Sequence, residues 1–156
     1  MDSDSVKYIT YDQRHMDIIQ AGIEPIQVFL QTESQQEKDN LLFCMDRFLD
    51  PWFGYQLPHL EQIFVLLQQH LFTEETVEIN NVILELLTQY GRQTLDVIAD
   101  QIEQLEPELL ADAVYALGMT YNRKYIAIVE KYQSHDDPVV QKAASEAIHE
   151  LNLSTS

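Results

Sequence analysis

The chain has 156 residues, of which 46% are apolar, so it is long enough and apolar enough to bury a core and is not a disordered chain. Its 26 acidic and nine basic residues give a net charge of −17, which excludes nucleic acid and anionic membranes as direct partners and favours a basic protein partner. No segment approaches the roughly 18 apolar residues of a membrane span, and the N-terminus does not resemble a secretory signal. We therefore expect a cytoplasmic protein.

Helix signals begin near the N-terminus. We predict a helix over residues 12–21 that ends at Gly22, and a second helix that Pro25 opens. These two helices would form an N-terminal cap over residues 1–33. Ser34 and Glu37 have the spacing of a capping box, in which each side chain satisfies the other residue's amide, and they predict a third helix over 34–49.

The middle of the chain combines aromatic and acidic segments. The link over residues 52–57 begins with Trp52 and Phe53, and we expect its bulky rings to be wedged between helices. A helix follows over 58–72, and Thr73, followed by two glutamates, predicts the start of the next helix, which ends near residue 90. The helix predicted over 94–105 has an apolar stripe and an opposite stripe that consists of Asp96, Asp100 and Glu103.

The last three predicted helices show that a unit recurs. They cover residues 106–117, 122–132 and 137–152, and Gly118 closes the first of them. Glu106-Pro107 and Asp137-Pro138 are start signals 31 residues apart, and the apolar positions after them match at the same spacing, except at Asp112. Looser copies lie about 30 and then 38 residues further back. Such a period predicts stacked helical hairpins.

The two Pro-initiated, alanine-rich helices resemble the short HEAT repeat of the phycobilisome-lyase type. The resemblance implies an all-α fold, a right-handed α-solenoid of about four hairpins, with residues 1–156 as a single domain and residues 34–152 as the stacked hairpins. It also implies that the second helix of each hairpin lines the concave surface. A fold of this kind does not by itself carry a function.

The sequence offers no catalytic, metal or cofactor site. Its five histidines form no helical ligand pair, its four glycines form no phosphate-binding turn, and Cys44 lies within an apolar stripe as an inert thiol. We therefore predict a protein that is not an enzyme and that needs no cofactor or metal.

The acidic residues cluster in the middle of the chain. Between Phe48 and Asn122 there are twelve acids and the single base Arg92, a block of net charge −11. Under the implied fold, part of this block and its neighbours would line the concave surface and bind a partner, through Glu61, Asp96, Asp100, Glu103, Tyr121 and Glu130. The alternative is that the acids are ordinary solvated helix faces and that Tyr121 fills the core.

Two functions fit these features. The first is an immunity protein that captures and neutralises a cationic nuclease toxin, since some immunity proteins of contact-dependent inhibition systems look like short helical solenoids. The second is a general HEAT-type adaptor or assembly scaffold whose acidity serves solubility. A third, a repeat protein acting on a tetrapyrrole as some phycobilisome-lyase relatives do, lacks a reactive residue in this sequence.

Overall fold

A computed structural model describes residues 10–90 and 94–153 of the chain. Within these ranges the chain forms nine α-helices and no strand, which confirms the all-α prediction. The chain divides into two compact units, Met1–Leu60 and Glu61–Ser156. The first nine residues of the expected cap and Arg92, the base within the acidic block, lie outside the described residues.

Three helices make up the described part of the first unit, namely α1 (Gln13–Ala21), α2 (Ile23–Thr32) and α3 (Gln35–Leu49). The starts of α1 and α3 follow the sequence signals, because the Asp12 carboxylate accepts a hydrogen bond from the Arg14 amide and the Ser34 hydroxyl accepts one from the Glu37 amide. The capping box predicted for Ser34 and Glu37 is only half formed, since the Glu37 carboxylate contacts Arg14 and His15 instead. The second helix, α2, begins at Ile23, two residues before Pro25. The helices bury apolar side chains on each other, among them Ile19, Ile26, Leu30, Leu41, Leu42 and Met45. Cys44 is also fully buried, and burial raises the pKa of its thiol to about 12.

A polar contact between α1 and α3 accompanies this core. His15 is buried, its Nδ1 accepts a hydrogen bond from the Asp12 amide, and its Nε2 lies 3.0 Å from a carboxylate oxygen of Glu37. Burial acts to raise the pKa of Glu37, but the hydrogen bond with His15 and the charge of Arg14 outweigh it, so this pKa lies below its ordinary value. The contact thus ties the two helices together.

The expectation that the aromatic link is wedged between helices is wrong for its first two rings. Trp52 is 86% exposed and Phe53 is 46% exposed, because Pro51–Phe53 form a 3-10 turn on the surface. The Asp50 carboxylate accepts a hydrogen bond from the Trp52 amide and stabilises this turn. Of the three rings in the link, Tyr55 packs inward, with its ring centroid 4.3 Å from that of Phe48.

Six helices follow, namely α4 (Leu60–His70), α5 (Val77–Gln89), α6 (Asp96–Gln101), α7 (Pro107–Gly118), α8 (Ile126–Glu130) and α9 (Pro138–Asn152). Single 3-10 turns, Ile102–Gln104 and Arg123–Tyr125, follow α6 and precede α8, so both helices are shorter than the sequence predicted. Within the second unit, α7 packs against both α5 and α9, and α8 packs against α9. The three helices that start about 30 residues apart are therefore neighbours in space.

The start of α5 differs from the sequence prediction by three residues. Thr76, not Thr73, is the N-cap, and its hydroxyl accepts a hydrogen bond from the Ile79 amide. The Thr73 hydroxyl instead donates to the carbonyl of His70 at the end of α4. Between the two threonines, the buried Glu75 carboxylate lies 2.7 Å from Nε2 of the buried His70, and this pair fixes the turn.

Gly118 has a role that the sequence did not indicate. It is the last residue of α7 rather than a residue beyond its end, and it is buried against α9. A Cβ atom at this position would lie 2.6 Å from the Cα atom of Ala147, closer than atoms in proteins pack. The glycine and the alanine together allow α7 and α9 to approach each other.

Candidate protein-binding surfaces

The N-terminus of α6 is held by side chains from α4 and from the 3-10 turn before α8. Its N-cap residue, Leu95, has no capping side chain of its own. The side-chain oxygen of Gln68, in α4, accepts a hydrogen bond from the backbone amide of Ile98 at 3.3 Å, and its side-chain nitrogen donates one to the Thr94 carbonyl at 3.2 Å. The Tyr125 hydroxyl accepts from the Leu95 amide at 2.7 Å. These partners lie 26 to 30 residues away in the sequence, and they satisfy backbone groups that a helix start leaves open.

Asp96, the first residue of α6, already has two partners. The Tyr125 hydroxyl donates to its carboxylate at 2.7 Å, and the ammonium group of Lys124 lies 2.9 Å from the same oxygen. The Lys124 contact and then the Tyr125 hydrogen bond lower the pKa of Asp96. Its side chain is 54% exposed, so Asp96 is accessible, but its charge is balanced locally.

Asp100 and Glu103 extend from Asp96 along the same side of the segment, and we call these three residues the acidic row. Asp100 and Glu103 are both exposed, and neither of them makes a hydrogen bond or an ion pair with any residue in the described ranges 10–90 and 94–153. Their charges act on two tyrosines further along the chain. Burial raises the pKa of Tyr125, with smaller contributions from Asp96 and Asp100. Burial, followed by the charge of Glu103, raises the pKa of Tyr132. The first residue of the acidic row thus contacts the 3-10 turn before α8, and its other two residues lie close enough to affect the tyrosines on either side of α8.

The other residues expected on this surface do not join the acidic row in the same way. Glu61 lies in the first turn of α4 and Glu130 is the last residue of α8, and both are exposed. Tyr121 is half-buried, has a positive φ of 56°, and donates its hydroxyl to the Glu150 carboxylate at 3.0 Å. It therefore fastens the turn after α7 to α9.

A second acidic surface, which the sequence interpretation missed, lies between α5 and α7. This α5/α7 groove has a volume of about 380 Å³ and is lined by Asn81, Leu84, Glu85, Thr88, Gln89, Asp112 and Tyr115. Tyr115 is 37% exposed. The side-chain oxygen of Asn81 is buried and has no hydrogen-bond partner. A sequence signal was available, because Asn80 and Asn81 interrupt an otherwise apolar part of α5.

Tyr115 also lines the next groove, between α7 and α9, with Ser145, Glu146, His149 and Glu150. The two grooves thus share one aromatic side chain and contain four carboxylates between them, from Glu85, Asp112, Glu146 and Glu150. In the α7/α9 groove the Glu150 carboxylate accepts a hydrogen bond from the Tyr121 hydroxyl. In the α5/α7 groove neither Glu85 nor Asp112 has a hydrogen bond or an ion pair with any described residue.

The described residues contain no group of three or more His, Cys, Asp or Glu side chains arranged to hold a metal ion. In the same part of the chain, no helix is long and apolar enough to cross a membrane. Comparison with protein-family models, with curated proteins and with solved structures found no match. Functional conclusions therefore rest on the surfaces of the chain itself.

Proposed function

We propose that the chain is a cytoplasmic, non-enzymatic binding protein that captures a basic protein partner and neutralises it, as an immunity protein neutralises a cationic nuclease toxin. The observation that carries this proposal is the placement of charge. The net charge of −17 repels nucleic acid, and the exposed carboxylates of Asp100 and Glu103 have no partner among the described residues.

A cationic nuclease fits this placement on physical grounds. A nuclease must present positive charge to hold a phosphate backbone, so ordered carboxylates compete for the same surface. Opposite fields also steer the two proteins together and raise the rate of encounter. In the proposed complex the toxin lies on the acidic row, with Glu61, Glu130 and Tyr121 at its edges.

We also propose that residues 34–152 stack as a right-handed α-solenoid of about four HEAT-like hairpins. Within the second unit, the packing of α7 on both α5 and α9 supports this arrangement. The hydrogen bonds that join α4, α6 and the turn before α8 at separations near 30 residues support it as well. In such an array α6 would belong to the row of second helices, where the resemblance places the binding face.

The test is co-expression of this chain with a cationic nuclease domain encoded next to its gene. We expect a stable complex, loss of nuclease activity, and an association rate that falls steeply from low to high ionic strength. An adaptor contact made by apolar side chains would show little dependence on salt. A basic neighbour that is neither bound nor inhibited would contradict the immunity function.

A variant in which two carboxylates of the acidic row become amides locates the contact. Asp100→Asn combined with Glu103→Gln should slow association about tenfold at low salt, because it removes unpaired carboxylates without touching the Asp96 contacts. The control carries Asp17→Asn and Glu24→Gln, which change the net charge equally at exposed positions on α1 and α2. Equal association rates for the two variants would remove the acidic row from the interface.

A further inference from the structure

Aromatic side chains gather on the surface of the first unit, where folding leaves them in contact with water. Trp52 is 86% exposed, Phe43 is 48% exposed and Phe53, the chain neighbour of Trp52, is 46% exposed. The ring centroids of Phe43 and Tyr11 lie 5.7 Å apart. The guanidinium group of Arg47 lies over the rings of Tyr11 and Phe53, at 6.0 and 4.7 Å from their centroids. These five residues form one surface, which we call the aromatic patch, and exposed rings that are contiguous rather than scattered are typical of a protein-binding surface.

The turn that carries Trp52 and Phe53 has a hydrogen-bonded backbone. The Asp50 carboxylate accepts a hydrogen bond from the Trp52 amide at 2.9 Å, and the Asp50 carbonyl accepts one from the Phe53 amide at 3.2 Å. Gly54 ends the turn in the left-handed region, with a φ of 73°, which glycine adopts at little cost. Because this backbone is already ordered, a partner that covers the two rings does not have to order it on binding.

Arg47 contacts two rings of the aromatic patch and has no carboxylate partner in the part of the chain that the structure describes. Its hydrogen bonds go to the hydroxyls of Tyr11 and Tyr55, which are neutral oxygens. The chain has 26 acidic residues, and Arg14, by contrast, lies 3.2 Å from the Glu37 carboxylate. A guanidinium group carries five N–H donors in one plane, so Arg47 retains donors for a carboxylate from another molecule.

Any segment that covers the aromatic patch removes Arg47 from water, and this determines the charge that the segment must carry. An apolar segment alone would leave the guanidinium group desolvated without an anion, which costs free energy. A basic segment would place a second positive charge beside it. A second copy of this chain would bring together two molecules of net charge −17, which repel each other. A segment with apolar side chains around a carboxylate satisfies both the rings and Arg47.

We propose that the aromatic patch binds a segment of a partner protein in which a glutamate or aspartate is flanked by large apolar side chains. The carboxylate pairs with the Arg47 guanidinium group, and the apolar side chains cover Trp52 and Phe53. In protein complexes tryptophan and arginine are among the residues that carry most of the binding energy. The chemistry of this surface differs from that of the acidic row, so the inference does not rest on the proposed function.

The only tryptophan of the chain reports on the patch, because that tryptophan is Trp52. Three peptides of sequence acetyl-Ser-Leu-Phe-X-Phe-Leu-Ser-amide, in which X is Glu, Gln or Lys, are titrated against the intact chain at about 0.15 M salt while tryptophan fluorescence is followed. The net charge of the chain predicts that the Lys peptide binds most tightly and the Glu peptide most weakly. The patch predicts the reverse order, with the Glu peptide bound about fivefold more tightly than the Gln peptide. Any other order, or no change in fluorescence with the Glu peptide, would overturn the proposal.

Variants of equal charge assign the preference for the Glu peptide to Arg47. Arg47→Gln should remove the preference and return the peptides to the order that net charge sets. Arg47→Lys keeps the positive charge but not the planar guanidinium group, and should keep only part of the preference. The control, Lys142→Gln, makes the same change in net charge as Arg47→Gln at an exposed position on α9 and should keep all of it. Retention of the preference in Arg47→Gln, or its loss in Lys142→Gln, would contradict the proposal.

The exposed rings provide a test that is independent of charge. Trp52→Ser should weaken binding of the Glu peptide about tenfold, measured by calorimetry, because it removes the most exposed ring of the patch. The same substitution should leave thermal stability unchanged, because the side chain already lies in water in the free protein. Val139→Ser, at a position on α9 that is 64% exposed, should leave the affinity unchanged. Equal weakening by the two substitutions would mean that the peptide binds any exposed apolar residue, and the patch would not be a specific site.

Discussion

The acidic row and the α5/α7 groove carry the same kind of charge but differ in how that charge is used. In the acidic row, Asp96 is bound by Lys124 and Tyr125, so one of its three carboxylates already serves the fold. In the groove, Glu85 and Asp112 have no partner among the described residues. Each surface therefore has two exposed carboxylates without a partner among the described residues, and the difference is that the acidic row is also joined to the fold through Asp96.

The largest expected effect tests how firmly the acidic row is built into the fold. Gln68→Ala should lower the free energy of unfolding by about 3 kcal/mol, because it opens a cavity and leaves the Ile98 amide and the Thr94 carbonyl without their partners. Chemical denaturation measures the change. Gln69→Ala, at the exposed neighbouring position, should stay within about 0.5 kcal/mol. Similar losses in both variants would mean that the contacts of Gln68 do not hold α6.

A pair of tyrosines compares the two regions directly. Tyr125→Phe should cost about 2 kcal/mol, because the buried Leu95 amide loses its acceptor. Tyr115→Phe should change stability by less than about 0.5 kcal/mol, because the hydroxyl of Tyr115 makes no hydrogen bond with a described residue. Thermal unfolding of both variants under the same conditions measures the two stability changes. A larger loss for Tyr115→Phe would reverse the comparison.

A third change should have the opposite sign. Asn81→Leu should raise the free energy of unfolding by about 1 kcal/mol, because the free protein no longer buries an oxygen without a donor. Equilibrium unfolding in urea measures the change. A clear destabilisation would show that Asn81 serves the fold in the way that Gln68 does.

The smallest effect depends on pH. The folded-state pKa of Asp96 lies below its ordinary value of 3.8, so its contribution to stability is present above that value and is lost as the pH falls below it. Because Asp96 is more than half exposed, the contribution is about 0.5 kcal/mol. Asp96→Asn should therefore be slightly less stable than wild type at neutral pH and equal to it near pH 2. A constant difference at all pH values would contradict this account.

Local signals in the sequence were sufficient for most of the helices. Ser34, Pro107 and Asp137 mark helix starts in the structure as they do in the sequence, because capping depends on residues only two or three positions away. The predicted start of α5 was wrong because Thr73 and Thr76 are both good N-cap residues. The pairing of Glu75 with His70 accompanies the later start, and a local pattern does not contain such a contact.

The candidate surfaces were less predictable than the helices. The sequence gives the spacing of Asp96, Asp100 and Glu103, but the pairing of Asp96 with Lys124 joins residues 28 positions apart. That the acidic row binds a partner stays a prediction. The α5/α7 groove could not be found from periodicity alone, since its walls come from two helices whose contact depends on tertiary packing.

The contact between the Tyr125 hydroxyl and the Leu95 amide also has a consequence for biosynthesis. When residue 101 emerges from the ribosome, every residue of α6 is outside it, yet Tyr125, the acceptor for the amide of the N-cap residue Leu95, has not emerged. About another 24 residues must emerge before the start of α6 can be completed, so α6 and the turn before α8 should acquire protection from proteases together during translation rather than one after another.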